Sequence, residues 1–213
     1  MMRDVFNSFL LKNADYTSDY ELPILRGTTE IPGKLVLFSE AIKQGGDSSN
    51  AWTCFYEFDE KFQRIWLNPN KYLRKLLQRP GTLSPDFSMY RNMPHPIQLE
   101  SCFKNRAIAH WLEEQGLPVI PNVRWADERS FRYCFDGIPP HTTIAVGSHG
   151  CLRYKEDRFW FRFGLEELVS RLSPSTLVVY GAAPVDIFEP ALEQGIPIVT
   201  FESKFSQTHR KAR

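Results

Sequence analysis

Asp86 is the first side chain here suited to chemistry. It lies in Pro85-Asp86-Phe87-Ser88, at the mouth of an expected strand, where a carboxylate can act as a general base or a metal ligand. An Asp in that place can equally brace its loop by accepting backbone N–H bonds. The next group is Asn122-Val123-Arg124-Trp125. Arg124 offers a planar fork for phosphate or carboxylate, and Trp125 offers a face on which a base can stack. The structural alternative is an internal pair, Arg124 with Asp127 or with Asp86, while Trp125 closes the core. Gly147-Ser148-His149-Gly150 follows another expected strand. His149 can shuttle a proton and Ser148 can hold a phosphate oxygen, or the segment is a polar hairpin tip. Tyr180 ends a strand and precedes the small residues of Gly181-Ala182-Ala183, which leave room for a ligand or for a close helix. Glu202, at the end of the last strand, is a second carboxylate that can serve the same site.

Several common signatures are missing. The sequence has no G-x-x-x-x-G-K-[ST], G-x-G-x-x-G, H-E-x-x-H, or H-x-E with P-C-x-x-C. The Gly147–Gly150 segment does not fit G-x-S-x-G, so a nucleophile elbow is not supported. The four cysteines (Cys54, Cys102, Cys134, Cys151) show no C-x-x-C or other short metal spacing, so no metal site is assigned and reduced thiols in a cytoplasm are expected. No cofactor is indicated.

These residues need a scaffold. The chain has 213 residues, 42% of them hydrophobic, enough for one domain with a sizeable core. No apolar run approaches the roughly 18 residues of a membrane span, and the early acid Asp4 with no long apolar segment leads us to expect no secretory signal. A net charge of +1 gives no global pull toward nucleic acid. Charge is uneven, however. Lys71, Arg74, Lys75 and Arg79 line one face of an expected helix opened by Asn68-Pro69, and the tail 204–213 is basic. Either can contact nucleic acid, or be a solvated face and a frayed terminus.

Strands are expected at Lys34–Ser39, Trp52–Phe58, Thr82–Phe87, Leu117–Val123, Thr142–Val146, Thr176–Tyr180 and Ile196–Phe201. Helices are expected at 96–115, Asp127–Phe135, Phe163–Leu172 and Asp186–Gln194, and Gln44–Asn50 has the composition of an exposed loop. Uncharged strands without alternation, separated by helices, imply a mostly parallel α/β sheet of five to seven strands. That pattern fits a small or incomplete β/α barrel, or alternatively an open doubly wound sheet. Residues 1–33 form a wrapping segment, 34–203 the single domain, and 204–213 a basic tail. In either fold the strand carboxyl ends share one face, where Asp86, Arg124 and His149 would meet.

The order of motifs is also informative. Ser84-Pro85-Asp86-Phe87-Ser88-Met89-Tyr90, Asn105-Arg106, Val119-Ile120-Pro121-Asn122-Val123-Arg124-Trp125, Ser130-Phe131 and Phe135-Asp136-Gly137-Ile138-Pro139 resemble the domain-of-unknown-function 4417 family. Phe58-Asp59-Glu60 and Trp66 are similar to its entry segment, so the resemblance spans roughly residues 55–203. The family has no established activity. The resemblance implies a phage or mobile-element setting and marks Asp86, Asn122, Arg124, Trp125 and Ser130 as motif positions. The functions to weigh are action on a nucleotide or nucleic acid at the strand ends, and non-catalytic binding of DNA or a host protein by an accessory protein.

Overall fold

The structure, a computed structural model, describes residues 4, 6–43 and 50–204. Residues 44–49 of the expected loop Gln44–Asn50 and residues 205–213 of the expected tail 204–213 lie outside them. Seven strands are present among the described residues: β1 (Leu35–Leu37), β2 (Trp52–Cys54), β3 (Thr82–Leu83), β4 (Val119–Ile120), β5 (Thr143–Gly147), β6 (Thr176–Tyr180) and β7 (Ile198–Phe201). They form a four-stranded sheet, β1-β2-β3-β4, and a three-stranded sheet, β5-β6-β7. Every pairing is parallel, as the strand–helix alternation requires. A parallel bridge between Asn122 and Ala145 joins the sheets. There the Val123 N–H donates to the Ala145 carbonyl at 2.9 Å, and the Ala145 N–H donates to the Pro121 carbonyl at 2.8 Å.

Among the described residues seven α-helices cover the sheets: α1 (Phe38–Ala41), α2 (Asp59–Phe62), α3 (Arg64–Leu67), α4 (Pro69–Leu76), α5 (His95–Glu114), α6 (Lys155–Leu172) and α7 (Val185–Glu193). The short α2 and α3 fall where the sequence suggested no helix. Asp127–Phe135, expected as a helix, holds a single 3-10 turn at Ser130–Arg132. α5 has no single buried stripe, because residues Asn105 to Glu113 are buried consecutively. The sheet covers one side of the helix and the N-terminal segment covers the other. The Arg26 and Gly27 N–H groups both donate to the Glu113 carboxylate at 2.9 Å, and the His110 Nε2 lies 3.0 Å from the Lys12 carbonyl.

α7 contains Pro190, which cannot donate to the Asp186 carbonyl one turn back. Arg162 on α6 takes that place, donating from Nε to the Asp186 carbonyl at 3.1 Å. α6 carries Gly164, where a side chain would meet the Trp125 indole: a Cβ there would lie 2.1 Å from Nε1. Glycine in a helix interior costs about 1 kcal/mol against alanine. Here it admits a buried tryptophan.

The central strands divide their side chains between two covered faces, whereas Thr200 of the edge strand β7 is exposed. On β6, Leu177 and Val179 pack outward under α6 and α7, while Val178 and Tyr180 face a second cluster. That second cluster draws Leu37, Trp52, Cys54, Leu83, Ile120 and Ala145 from β1 to β5, with Phe201 of β7 packed against it. Apolar strands without alternation follow from burial on both faces. Among the described residues no helix is long and apolar enough to cross a membrane.

Candidate functional site at the carboxyl ends of the strands

The residues following each strand surround a cavity of about 930 Å³. Tyr56 enters from beyond β2, Asp86 from beyond β3, Arg124 and Trp125 from beyond β4, Gly147 and His149 from β5, Tyr180 from β6, and Ser203 and Lys204 from beyond β7. The four-stranded and three-stranded sheets therefore both contribute to one rim.

Its floor is a chain of hydrogen bonds. The Tyr56 hydroxyl donates to Asn122 Oδ1 at 2.7 Å. Asn122 Nδ2 donates to Asp86 Oδ1 at 2.9 Å, and Arg124 Nη1 donates to Asp86 Oδ2 at 2.8 Å. Ser84 Oγ accepts the Asn122 backbone N–H at 2.7 Å, which fixes the start of the loop. Of the two internal partners available to Arg124, it takes Asp86, whereas Asp127 pairs with Arg129 at 2.9 Å.

Burial pushes the Asp86 carboxyl above the ordinary carboxylate range. Arg124 and Asn122 pull the other way and do not fully offset it. Burial also works against the Arg124 charge, but the neighbouring Asp86 more than compensates and keeps the guanidinium protonated. Arg124 Nε is buried with no hydrogen-bond partner, while its side chain is 21% exposed, toward the cavity. The pair thus combines a carboxyl shifted upward by burial with a fixed cation that has donors to spare. Tyr56 is likewise raised well above the usual phenol, by burial and then by the nearby Asp86.

Aromatic rings form much of the wall. Tyr56 and Tyr180 stack with centroids 4.7 Å apart and planes at 16°. The Tyr180 hydroxyl accepts the Lys204 backbone N–H at 3.0 Å. Trp125 lines the cavity, but its ring N–H donates to the Trp160 carbonyl at 3.0 Å and its body packs on Phe161 and Phe135.

Asp86, Arg124, Trp125, His149 and Tyr180 line this one cavity, and His149 is exposed at its rim. Asn122 stands one layer behind them. Ser148 and Ser130 are outside the lining. Ser148 Oγ donates to the Ala182 carbonyl at 2.6 Å, and Ser130 Oγ accepts the Ala126 N–H at 3.0 Å while donating to the Asp127 carbonyl at 2.6 Å. Glu202 is exposed and is not part of the wall. On α4, Lys71 and Arg74 are exposed, whereas Lys75 donates to the Ile42 carbonyl and, just past the helix, the buried Arg79 donates to the Ala41 carbonyl at 3.2 Å. Those two cap the C-terminal end of α1. Among the described residues no group of three or more His, Cys, Asp and Glu side chains could hold a metal.

Sequence reading missed several lining residues. Tyr56 lies two positions past Cys54, so within the expected strand Trp52–Phe58 it falls on the same face, and it packs in the same cluster as Cys54. That signal was there to be read. Asp59, read in the sequence only within Phe58-Asp59-Glu60, accepts both the Ser88 N–H at 3.1 Å and the Ser88 hydroxyl at 2.8 Å. Arg91, paired with Asp157 at 2.8 Å, gave no local signal at all.

The architecture and site define a parallel β/α protein with a polar, aromatic-walled cavity at its strand carboxyl ends. Within that class the chain belongs to the family described as Domain of unknown function (DUF4417), which it matches over residues 14–201. It is similar to the Gene 1 protein of Mycobacterium phage L5, at 34% identity over 179 residues, covering 84% of this chain and 77% of that protein. It is also similar to the Gene 1 protein of Mycobacterium phage D29, at 34% identity over 166 residues, covering 78% of this chain. The chain spans 62% of the length of the D29 protein. No solved structure matches the chain.

Proposed function

We propose that this is a phage or mobile-element protein of the host cytoplasm that acts on a nucleotide or nucleic acid in the strand-end cavity. Arg124 binds a phosphate oxygen, Trp125 and the tyrosine stack accept the base, and Asp86 is the group that takes or gives a proton. His149 assists from the rim. The phage relatives support the setting, and the observation that carries the chemistry is the Arg124 guanidinium held at 2.8 Å by buried Asp86 and lining a cavity of about 930 Å³, within the range of small-molecule sites. An anchor held by its own network loses little freedom on binding, which favours affinity.

The scaffold reading that goes with this is an incomplete β/α barrel. Strand order follows chain order from β1 to β7 once the Asn122–Ala145 bridge is counted, and one interior cluster takes residues from every strand. A doubly wound sheet instead reverses its order at a switch point. The rival idea, DNA or host-protein binding by the basic face of α4 and the turn after it, has less behind it, since Lys75 and Arg79 are engaged with the Ile42 and Ala41 carbonyls at the end of α1.

The test is equilibrium binding of mononucleotides and short single-stranded DNA to the wild type, Arg124→Gln and Lys71→Gln/Arg74→Gln. Loss of binding in Arg124→Gln alone supports the cavity. If only the Lys71/Arg74 variant loses binding, the site is on α4 and this reading is wrong.

A further inference from the structure

Resting on the nucleotide reading above, we infer that the cavity selects a ligand with one anionic group on an aromatic body, of the size of a nucleoside monophosphate, and disfavours a polyphosphate. The charge of the wall points there. Among the described residues that line the cavity, carboxylates number five against four Lys and Arg side chains. Both guanidiniums are already matched. Arg124 faces Asp86, and Arg91 faces Asp157, each at 2.8 Å. Two further acids, Glu57 and Asp59, are built into the wall by hydrogen bonds from Ser39 and Ser88.

A triphosphate needs several unmatched cations, a bound metal, or a glycine-rich nest of N–H groups along its length. The wall offers two guanidiniums already paired with carboxylates, the exposed Lys61, and Lys204, which pairs with Glu40, and each added phosphate would approach carboxylates that are fixed in place. Like charges across a few ångströms in a partly desolvated cavity cost several-fold or more in affinity. A single phosphate or carboxylate meets only the favourable end of this arrangement. The aromatic wall then supplies most of the remaining contact area for a flat ring.

The experiment is a ligand ladder on the full chain, followed by calorimetry without divalent cations: a nucleoside, its 5′-monophosphate and its 5′-triphosphate, with one purine and one pyrimidine series. The monophosphate is expected to bind at least about tenfold more tightly than either of the others in one series. Glu60→Gln, which removes an exposed rim carboxylate, should narrow the gap between mono- and triphosphate while leaving the fold intact. The inference is overturned if the triphosphate binds as well as or better than the monophosphate, or if the nucleoside equals it. If no member of either series binds to protein shown by circular dichroism to be folded, the nucleotide reading itself fails, which is a different result from a reversed ladder.

Discussion

Asn122 Nδ2 donates to Asp86 Oδ1 at 2.9 Å, and the same Asn122 forms the backbone bridge to Ala145 that joins the two sheets. The residue that sets the position of the site carboxylate is therefore also the seam of the fold. Asn122→Ala keeps the backbone bridge but removes the side-chain partner of the Tyr56 hydroxyl and one partner of Asp86. Each buried polar group left unmatched costs about 1–3 kcal/mol. Chemical denaturation should therefore show a loss of roughly 2–4 kcal/mol, at the upper end of ordinary single substitutions. A loss indistinguishable from zero would mean that water replaces the amide freely and that the network does not position Asp86.

The pH dependence of stability tests the balance between burial and the Arg124 charge. Because the folded-state value of Asp86 is raised above its ordinary 3.8, the folded protein binds this proton more tightly than the unfolded chain. The contribution of Asp86 to stability is then fullest below pH 3.8 and is lost as pH rises through the folded-state value. Asp86→Asn has no such proton. The difference in unfolding free energy, wild type minus Asp86→Asn, should fall as pH rises above 3.8. A difference that grows with pH would show that the Arg124 charge outweighs burial.

Gly147 and Tyr56 should be coupled. A Cβ at position 147 would lie 2.7 Å from Tyr56 Cε1, so Gly147→Ala must push the ring off its stack with Tyr180 and away from Asn122. Overpacking of this kind costs about 1–3 kcal/mol. Tyr56→Phe loses only the hydroxyl bond, about 1 kcal/mol. In the double variant the hydroxyl can be lost only once, so the two effects should sum to less than their separate values by at least about 0.5 kcal/mol. Strict additivity would place the Tyr56 hydroxyl outside the network.

The fold was most legible where local chemistry and tertiary demand agree. β6 was read with its observed bounds, Thr176–Tyr180, because an uncharged run sits between Ser173-Pro174-Ser175 and Gly181. β3 was read as six residues and is two, because from Ser84 the chain leaves the ladder to build the site. α6 was expected from Phe163 and begins at Lys155. Its first two turns carry no apolar stripe and are tied by ion pairs to distant residues, Asp157 to Arg91 and Arg158 to Asp186, which no periodicity reports. Lys75 and Arg79 had the spacing of a solvated basic face, yet their acceptors lie 33 and 38 residues earlier in the chain. The polar residues of the site could be picked out at the strand ends, but the bonds among Tyr56, Asn122 and Asp86 depend on neighbouring strands and could not.

Cys151 is a reporter placed by the fold inside the proposed site. Cys54, Cys102 and Cys134 are buried, with 1–3% of their surface exposed, while Cys151 is half-buried and lines the cavity. Burial also pushes the Cys151 thiol above its ordinary value of 9.0, with Arg124 opposing that shift. Since the thiolate is the reacting form, labelling by an aromatic disulfide reagent should be slow at neutral pH and accelerate steadily through pH 9. One thiol should react in the folded protein and the other three only on unfolding. A nucleoside monophosphate that fills the cavity should slow the first reaction in proportion to its occupancy, and Arg124→Gln should remove that protection without exposing the buried three. Labelling that is unchanged by a ligand shown independently to bind would locate the ligand elsewhere, because a molecule held by Arg124 must share the cavity with the Cys151 sulfur.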